Sequence, residues 1–443
     1  MPLTGTGLKA ARHLRASASR NMNMQDYKLV EMMSMKDDQL VDMSHAPREG
    51  TRYRFSGHER ILHRTPAHKG LPELMEWFGY RRAYIVCSRT LNTKTDVIRR
   101  LEAALGERCV GVTDAVGEHS PLPNVLAAAR EAHALDADVI VSVGGGSVMD
   151  MCKAMQLCIT EQVFDRSGLL QLQMKLSADG TEVIAATRTP PRIRHIAIPT
   201  TLATSEWTPV STPIDEETHL KARFLVSDGA PHGIVYDPEL LARTPLSLLL
   251  STGIRGLDHA INTVCSTQPH PLASLLAEKA IQLFVENLPR LKDSTDVEAF
   301  SNCQLATWYT GMGQLSVPHG FSHWMVHIVG PYAHIPHSDA ACVLMLAQAR
   351  WSERHAAAQH GNVLRLLGRS GSFADVLDGL LADLGLPRSM QDLGLSPEQV
   401  ESFIQPALDH PQVTRNNLRP ITTAEDLRAV LHLADRTYSA TLN

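Results

Sequence analysis

Short apolar runs alternate with longer amphipathic segments between about residues 80 and 200. The runs are rich in β-branched residues and end at polar or glycine positions, which is typical of buried strands. They lie at residues 82–88, 110–112, 138–143 and 195–199. The segments 95–105 and 123–135 between them carry apolar residues at helical spacing. Strands that alternate with helices predict a parallel sheet with right-handed crossovers.

The pattern changes after about residue 238. Long amphipathic segments follow one another with few β-rich runs, so we expect an all-helical half. These segments cover residues 245–266, 272–291, 297–313, the stretch after His319 and most of the chain from 341. The predicted fold class is α/β followed by all-α, with an α/β domain at 51–237 and a helical domain at 238–443. The irregular segment 164–194 favours a surface hairpin or loop.

The first 50 residues differ from the rest and are left out of the predicted fold. Residues 1–25 contain four basic residues and no acid. This composition is loosely similar to that of a transit peptide, and a misassigned start codon explains it equally well. We expect a partly flexible extension on a cytoplasmic protein, with organelle targeting as the alternative.

The 443 residues are 44% hydrophobic and 20% charged, which is typical of a globular protein rather than a disordered chain. The net charge of -5 lacks the basic excess of nucleic-acid-binding domains. The sequence contains no apolar run of the ~18 residues that a membrane-spanning helix needs. Seven scattered cysteines without a Cys-x-x-Cys pair predict a reducing compartment and no disulfide framework. We therefore expect a partner that is a small molecule, not a nucleic acid or a membrane.

A glycine-rich turn joins the strand at 138–143 to a predicted helix. The turn consists of Gly144, Gly145, Gly146 and Ser147. Backbone N–H groups in such a turn can approach a phosphate closely, and the N-terminus of the helix favours the negative charge. The turn is not the Gly-x-Gly-x-x-Gly fingerprint, and a tight turn without a ligand is the alternative.

Hydroxyl side chains gather directly after the strand at 195–199. They belong to Thr200, Thr201 and Ser205. Such groups can bind a pyrophosphate or a nicotinamide amide, or they can cap an ordinary helix. Lys153, in the helix after the glycine turn, could reach a phosphate or form a salt bridge.

Five histidines lie within 19 residues of the helical half. They are His319, His323, His327, His334 and His337. The first three step by four residues, so on a helix they share one face. A lone histidine is usually structural, whereas this group favours a divalent transition metal or a proton relay. The sequence has no Gly-x-Ser-x-Gly or Walker motif, which disfavours hydrolases and P-loop proteins.

In their order and spacing, these segments resemble the iron-containing alcohol dehydrogenase superfamily. Gly144–Asp150 with Lys153 is similar to the family's pyrophosphate loop, and Ile198–Thr201 is similar to its Pro-Thr-Thr segment beside the nicotinamide. Tyr236–Leu240 resembles the Asp-Pro-Glu-Leu of its domain junction. The resemblance implies a dehydroquinate synthase-like fold and an NAD or NADP cofactor, bound in part through Asp150 and Lys153. It also implies a homodimer or larger assembly.

The resemblance implies a metal site with one departure. The family binds its metal through an aspartate, a histidine four residues later, and two histidines 14 residues apart. His259, His323 and His337 fit the histidine positions, but Arg255 stands where the aspartate is expected. A guanidinium has no lone pair to donate to a cation. Either three histidines hold Fe²⁺ or Zn²⁺, or the site is metal-free and Arg255 stabilises a carboxylate or a developing oxyanion.

Further details of the resemblance bear on the branch and on the active site. Asp258 is not expected to replace the missing aspartate, because adjacent helical side chains point about 100° apart. His327 matches an additional active-site histidine, and we assign it proton transfer. Ser205–Pro209 and His119–Pro121 resemble segments of the maleylacetate reductases, a branch that works without metal. That branch, however, usually has asparagine where this chain has an arginine.

The choice between NAD and NADP depends on the end of the first predicted strand. The family often has an aspartate there, which binds the adenosine ribose and repels a 2′-phosphate. In this chain the position is Ser88, followed by Arg89. A guanidinium beside a position without the acid permits NADPH, while an ordinary exposed loop arginine is the alternative.

The sequence therefore predicts an NAD(P)-dependent oxidoreductase that transfers a hydride between NAD(P)H and a small carbonyl or alcohol substrate. Two alternatives stay open. One is a metal-independent, maleylacetate reductase-like enzyme for a carboxylate-bearing enoate, and the other is a cofactor-binding homologue without turnover. A metal-dependent lyase of kindred fold, such as a dehydroquinate synthase, is disfavoured by Pro199–Thr201 and by three C-terminal segments that resemble the tail of the family. These are Gly385–Pro387, Leu393–Leu395 and Asn416–Pro420.

Overall fold

Six parallel strands form the central sheet of the computed structural model, which describes residues 53, 57–117, 119–176, 183–333 and 335–434. The strands are β1 (Arg60–His63), β2 (Ala83–Cys87), β3 (Cys109–Thr113), β4 (Val139–Gly144), β5 (Lys175–Leu176), β6 (Val183–Ile184), β7 (Arg194–Pro199), β8 (Val210–Ser211), β9 (Ile214–Asp215), β10 (Leu220–Lys221), β11 (Phe224–Leu225) and β12 (Gly233–Tyr236). The sheet has the order β1-β12-β7-β4-β2-β3. The four predicted strands are β2, β3, β4 and β7, so the predicted parallel sheet is confirmed. The N-terminal extension at 1–50 lies outside the described residues.

β4 shows why the sequence signal of the central strands is strong. Its residues Val139, Val141 and Val143 pack into the apolar cluster on one face of the sheet. Ile140 packs into the cluster on the other face. Because side chains alternate along a strand and both faces are covered by helices, the strand reads as an almost continuous apolar run.

Helices cover the sheet and make up the second half of the chain. In the described residues they are α1 (Ala67–Phe78), α2 (Arg89–Lys94), α3 (Val97–Leu105), α4 (Leu122–Ala134), α5 (Gly146–Glu161), α6 (Arg166–Gln171), α7 (Pro238–Leu241), α8 (Leu246–Val264), α9 (Pro271–Asn287), α10 (Val297–Gln314), α11 (Phe321–Ala333), α12 (His337–Ser352), α13 (Ala357–Leu366), α14 (Phe373–Leu384), α15 (Pro397–Ser402), α16 (Ile404–Leu408), α17 (Pro411–Arg415) and α18 (Ala424–His432). None of these helices is both long and apolar enough to cross a membrane. The predicted all-helical second half is confirmed.

The helix α8 lies at the centre of the helical half. It packs against α9, α10 and α12, and its apolar residues share a core with Leu202, which follows β7. This contact ties the helical half to the loop at the carboxyl end of the sheet. Because the described residues all belong to one compact unit, the division into domains at 237 and 238 stays a prediction.

The segment 164–194 contains α6 and the antiparallel pair β5–β6, in agreement with the expected hairpin or loop. A second insertion, between β7 and β12, is not predicted. It consists of β8, β9, β10 and β11, in which β9 pairs antiparallel with β10 and β8 pairs antiparallel with β11. We call residues 210–225 the arm.

Candidate active site

A cleft of about 680 Å³ lies at the carboxyl end of the sheet. Its wall brings together most of the residues predicted to bind a cofactor, namely Ser88, Gly145, Gly146, Ser147, Thr200 and Thr201. Leu248 and Thr252 of α8 line the other wall. Ligands of parallel α/β sheets bind at this end of the strands. The cleft therefore combines the predicted phosphate turn with a surface of the helical half.

The turn after β4 fits a dinucleotide phosphate. α5 begins at Gly146, so its free N–H groups face the cleft. A Cβ added at Gly146 would meet only Ser205 Cβ, at 3.9 Å, which leaves room for an anion above the helix. A Cβ at Gly145 would lie 2.9 Å from the Thr201 methyl carbon, so a side chain there would separate the two segments. Gly144 instead ends β4, where its carbonyl accepts from the Thr200 N–H at 3.0 Å.

Asp150, Lys153 and Ser205 lie next to the cleft and bind one another. The fully buried Lys153 Nζ donates to the carbonyl oxygens of Ser205 at 2.8 Å and Val210 at 2.9 Å, and to Ser205 Oγ at 3.2 Å. Ser205 Oγ donates to Asp150 Oδ1 at 3.1 Å. The three N–H groups of the ammonium are thus used within the protein. Its amine is directed into the fold, and a role of Lys153 in cofactor binding stays a prediction from the sequence.

A carboxylate that the sequence analysis missed lines the same cleft. Asp114 follows β3, and its Oδ2 accepts from Asn92 Nδ2 at 2.9 Å. Ser88 begins α2 by accepting from the Leu91 N–H at 3.4 Å. The end of a neighbouring strand, rather than Ser88 itself, therefore supplies an acid to this part of the cleft. The position of Asp114 shortly after a predicted strand was the sequence signal that could have identified it as a cleft residue.

The predicted histidines meet beside the cleft, between α8 and α11. His259 lies 5.0 Å from His323 and 5.6 Å from His319, measured between ring centroids. His327 lies 5.8 Å from His323 and 5.2 Å from His337. We call these five residues the histidine cluster. His334 lies outside the described residues.

Asp258 reaches the histidine cluster, contrary to the sequence expectation. Its fully buried carboxylate accepts from Ser322 Oγ at 2.5 Å and from Asn262 Nδ2 at 3.0 Å through Oδ1. Its Oδ2 lies 3.7 Å from Arg255 Nη1 and 3.9 Å from His323 Nδ1. Residues three apart share a helix face, so Asp258 and Arg255 meet. Asp258 thus positions Arg255 at the cluster.

Arg255 gives the site its permanent charge. Burial lowers the pKa of every ring in the histidine cluster, and the positive charge of Arg255 adds to this effect. For His319 and His337 the pKa falls to about 4. The rings are therefore neutral near pH 7, whereas a guanidinium stays charged in proteins. The site combines neutral imidazoles with one buried cation.

Several buried polar atoms of the site have no hydrogen-bond partner among the described residues. They are Arg255 Nη1, Asp258 Oδ2, His259 Nε2, His319 Nε2 and His323 Nδ1. Buried polar groups are normally hydrogen-bonded, so an unsatisfied group indicates a missing partner. Five such atoms in one cluster of side chains indicate that the cluster binds a polar ligand.

Two family models match almost all of this architecture. The description "Iron-containing alcohol dehydrogenase" matches residues 58–238, and "Fe-containing alcohol dehydrogenase family, C-terminal" matches residues 249–434. The chain belongs to the iron-containing alcohol dehydrogenase family. It is accordingly an oxidoreductase, as the sequence analysis predicted.

Relatives within this family include maleylacetate reductases. Maleylacetate reductase 2 of Cupriavidus pinatubonensis is 28% identical over 70% of this chain and 77% of its own length. The crystal structure of maleylacetate reductase from Agrobacterium tumefaciens has a TM-score of 0.73 at 23% identity, covering 87% of this chain and 98% of its own. The sulfoacetaldehyde reductase of Bifidobacterium kashiwanohense, solved with NAD⁺, has a TM-score of 0.76 at 22% identity, covering 88% and 100%. The two structures confirm the fold of an iron-type alcohol dehydrogenase.

The residues of the family's metal position do not fit a divalent cation in this arrangement. One ligand atom each from Asp258, His259 and His323 lies within 4.8 Å of the others, and His337 is not part of this group. The Asp258 carboxylate that would complete the set already faces Arg255 at 3.7 Å. A buried divalent ion would add its charge beside a permanent cation, which low-dielectric surroundings make costly. Metal binding by the three predicted histidines therefore stays a sequence prediction.

The turn after Thr204 carries a buried glutamate with an unusual pKa. Trp207 Nε1 donates to Tyr236 Oη at 2.7 Å, and Tyr236 Oη donates to Glu206 Oε1 at 2.8 Å. Glu206 is 2% exposed, and burial raises its pKa to about 7. The carboxyl group therefore keeps its proton in the folded state at pH values where an unfolded chain has lost it.

This protonation predicts a stability change for Glu206→Gln. Folding with a raised carboxyl pKa becomes less favourable as pH rises from 4.5 to about 7, because the unfolded chain ionises first. At pH 8 the variant should gain up to about 3 kcal/mol of unfolding free energy, since each pKa unit corresponds to about 1.4 kcal/mol. Near pH 4.5 this gain should vanish. Urea denaturation at both pH values measures it.

The control for this prediction is Glu76→Gln, which changes an exposed glutamate on α1. It should alter the free energy of unfolding by less than about 0.5 kcal/mol at either pH. A Glu206→Gln variant that is equally or less stable than the wild type at pH 8 would show that Glu206 is ionised and stabilised in the fold.

Proposed function

We propose that this chain is a metal-independent, NAD(P)H-dependent reductase of a small carboxylate-bearing enoate or carbonyl compound. The observation that carries the proposal is the buried, charged Arg255, held by Asp258 at 3.7 Å among neutral histidines. A permanent cation at this position attracts an anionic substrate and stabilises negative charge that develops on an oxygen during reduction. The maleylacetate reductases among the relatives are named for a substrate of this class.

The cofactor is assigned to the cleft at the carboxyl end of the sheet. Gly145, Gly146 and Ser147 hold the pyrophosphate at the N-terminus of α5, and Thr200 and Thr201 line the adjoining wall. NAD(P)H supplies a hydride when it is bound there. The solved sulfoacetaldehyde reductase with the same fold is a complex with NAD⁺, which supports this assignment.

Asp114 and Arg89 bear on the choice between the two nicotinamide cofactors. Both line the cleft with Ser88. A carboxylate favours the free ribose hydroxyls of NAD, whereas a guanidinium favours the 2′-phosphate of NADP. Because Asn92 holds the Asp114 carboxylate in place at 2.9 Å, we propose that both cofactors are accepted, with NAD preferred.

The reaction needs one hydride and one proton. For a conjugated enoate, the hydride adds to one carbon of the double bond and the electron pair of that bond moves toward the conjugated oxygen. Arg255 stabilises the negative charge on this oxygen. A proton from water then reaches the other carbon through His327, whose neutral ring gives up one N–H proton as its second ring nitrogen accepts another, and this completes the two-electron reduction of the double bond.

The test is elemental analysis of protein purified without chelators, together with turnover of maleylacetate. We expect well under one metal per chain and NAD(P)H oxidation that a chelator does not change. Arg255→Asp restores the aspartate of the family pattern, so this variant should acquire zinc and lose the reductase activity. Near-stoichiometric metal in the wild type, with activity lost to the chelator, would instead establish the three-histidine metal site. Cofactor binding without turnover would establish a homologue that has lost its chemistry.

A cytoplasmic location and a homodimer or larger assembly, both expected from the sequence, remain proposals that accompany this function. Gel filtration with light scattering tests the assembly.

A further inference from the structure

A buried threonine with an unusual backbone conformation contacts the histidine cluster. Thr204 follows β7 in the loop that continues into the turn Ser205–Trp207, and it is 1% exposed. Its φ of 63° lies in the left-handed region, which a β-branched side chain rarely adopts. A residue stays in such a conformation only where its surroundings hold it, and such positions concentrate at functional sites. The hydrogen bonds of Thr204 hold it there.

These hydrogen bonds join three elements of the fold. Gln314, the last residue of α10, donates through Nε2 to the Thr204 carbonyl oxygen at 3.3 Å. The Thr204 hydroxyl oxygen lies 3.1 Å from Gln314 Oε1 and 2.9 Å from Nδ1 of His259 on α8. All three side chains are buried. The loop after β7, α8 and α10 therefore meet in one buried chain of hydrogen bonds.

The direction of each hydrogen bond in this chain follows from the groups that cannot donate. A backbone carbonyl only accepts, so the amide nitrogen of Gln314 faces the Thr204 carbonyl and the amide oxygen faces the hydroxyl. The amide oxygen also only accepts, so the single hydroxyl proton of Thr204 points to Gln314. The hydroxyl oxygen can then only accept from His259, which places a proton on Nδ1 of that ring.

The proton on Nδ1 decides what the other ring nitrogen of His259 can do. Burial, and after it the charge of Arg255, lower the pKa of His259, so the ring is neutral near pH 7 and carries one proton. With that proton on Nδ1, Nε2 keeps a free lone pair. Nε2 is buried and has no hydrogen-bond partner among the described residues. It is therefore an acceptor that a ligand in the histidine cluster can use.

Arg255 supplies a donor that complements this acceptor. It lies one helical turn before His259 on α8, and residues four apart share a helix face. In the described part of the chain its Nη1 is buried without a hydrogen-bond partner. A hydroxyl group can accept from the guanidinium and donate to the imidazole, whereas a carbonyl oxygen satisfies only the guanidinium. The pair therefore favours a ligand that carries hydrogen on its oxygen.

We propose that Thr204 and Gln314 are positioning residues that hold His259 in its Nδ1–H tautomer, so that Nε2 accepts a hydrogen bond from a hydroxyl group of the substrate or product. The inference rests on the proposed function, in which the substrate binds beside Arg255. Addition of a hydride to a carbonyl carbon and of a proton to its oxygen produces such a hydroxyl. The fixed tautomer then favours the alcohol over the carbonyl compound in the site.

The tautomer of His259 is measured by ¹⁵N NMR of the full-length, chelator-treated protein, labelled at histidine, at neutral pH. A ring nitrogen with a proton and a bare one have well-separated ¹⁵N shifts, and the signals missing in His259→Gln assign the ring. In the wild type we expect a bare Nε2. Gln314→Met removes the oxygen that takes the hydroxyl proton, so Thr204 can donate to Nδ1 and the ring proton should move to Nε2. Thr204→Ser keeps the hydroxyl and should keep the wild-type tautomer.

The matched control is Gln304→Met, which removes another buried glutamine of α10. Gln304 is 1% exposed, and its Nε2 donates to the Asp237 carbonyl oxygen at 3.1 Å. This variant should leave the His259 tautomer unchanged. A proton on Nε2 in the wild type, or a tautomer that does not respond to Gln314→Met, would overturn the inference. An equal response to Gln304→Met would also overturn it, because the effect would then come from a general disturbance of α10.

Calorimetric titration of the cofactor-free protein with lactate and with pyruvate tests the acceptor. The two acids share a carbon skeleton and differ in a hydroxyl against a carbonyl group. In the wild type we expect lactate to bind at least about fivefold more tightly, because a carbonyl oxygen leaves the buried Nε2 without a donor. The ratio of the dissociation constants should fall to about one in Gln314→Met and stay at the wild-type value in Gln304→Met. Pyruvate bound as tightly as lactate by the wild type would contradict an accepting Nε2.

Turnover separates this inference from the proposed function. We expect Gln314→Met to lower kcat/KM for maleylacetate about tenfold, the effect of one lost hydrogen bond to a bound ligand, and Thr204→Ser to stay near the wild type. If the wild type does not reduce maleylacetate but the tautomer responds as expected, the positioning role stands and the proposed function fails. If the wild type reduces it and Gln314→Met and Gln304→Met have the same kcat/KM, the function stands and the inference fails.

Discussion

Replacing Arg255 with methionine should lower kcat/KM for maleylacetate reduction about 100- to 1000-fold. This is the range found when one preorganised donor to a developing oxyanion is removed. The guanidinium is buried beside Asp258, so water does not readily replace its charge. NAD(P)H affinity should change little, because Arg255 does not line the nucleotide cleft. Steady-state loss of NAD(P)H absorbance and a fluorescence titration of the cofactor measure the two quantities.

Two further variants separate a catalytic effect from a folding effect. Arg255→Met leaves Asp258 buried without its cation, which alone can cost several kcal/mol of stability. Arg255→Lys keeps a positive charge and should retain more of the activity. Arg243→Met removes an exposed arginine that pairs with Asp96 at 2.8 Å, and it should leave the kinetics unchanged. Full turnover by a folded Arg255→Met variant would refute the anion role of this residue.

His327→Ala should reduce kcat about 100- to 10,000-fold, the usual contribution of a positioned general acid or base. His327 lies between His323 and His337 in the cluster and outside the nucleotide cleft. The dissociation constant of NAD(P)H should therefore stay near its wild-type value. Single-turnover mixing of the enzyme–NAD(P)H complex with maleylacetate measures the chemical step directly.

The matched control for His327 is His360→Ala. His360 is also a buried histidine, but it contacts Cys265 and Phe373 in the helical core. This variant should lower the melting temperature and keep kcat. If His327→Ala behaves in the same way, or if it loses the cofactor, His327 is a structural residue.

The central strands and the glycine turn could be predicted because their signals are local. β4 is apolar along its whole length, and the glycines follow it directly. β1 and β12 are four-residue strands, and β1 is half-buried at a sheet edge, so neither gives a long apolar run. The arm escaped prediction for a related reason, since its strands have two residues each and β8 packs against the distant α5.

The site could be predicted only in part because it forms between elements. The four-residue steps of the histidines predict one face of a helix. In the structure His323 and His327 lie on α11, and His319 lies just before its first residue. Asp258 reaches the histidine cluster because of how α8 packs against α11. In this packing two adjacent residues of α8, Asp258 and His259, both lie near His323 of α11. Lys153 has the sequence position of a phosphate ligand, but its ammonium group donates hydrogen bonds to carbonyl groups of a loop that is distant in the sequence. Such partners lie too far along the chain for a motif to reveal.

The pair formed by Asp150 and Lys153 also has a consequence for folding. Its hydrogen bonds reach Ser205, Val210 and Thr212, across sequence separations of 52 to 62 residues. Contacts between residues so far apart in the sequence form late in folding, because the entropy of loop closure is lost before these contacts contribute. The helix that begins at the nucleotide turn and the arm therefore become ordered together. In a chain whose sheet has not yet formed as far as β7, neither the nucleotide turn nor the arm is held in place.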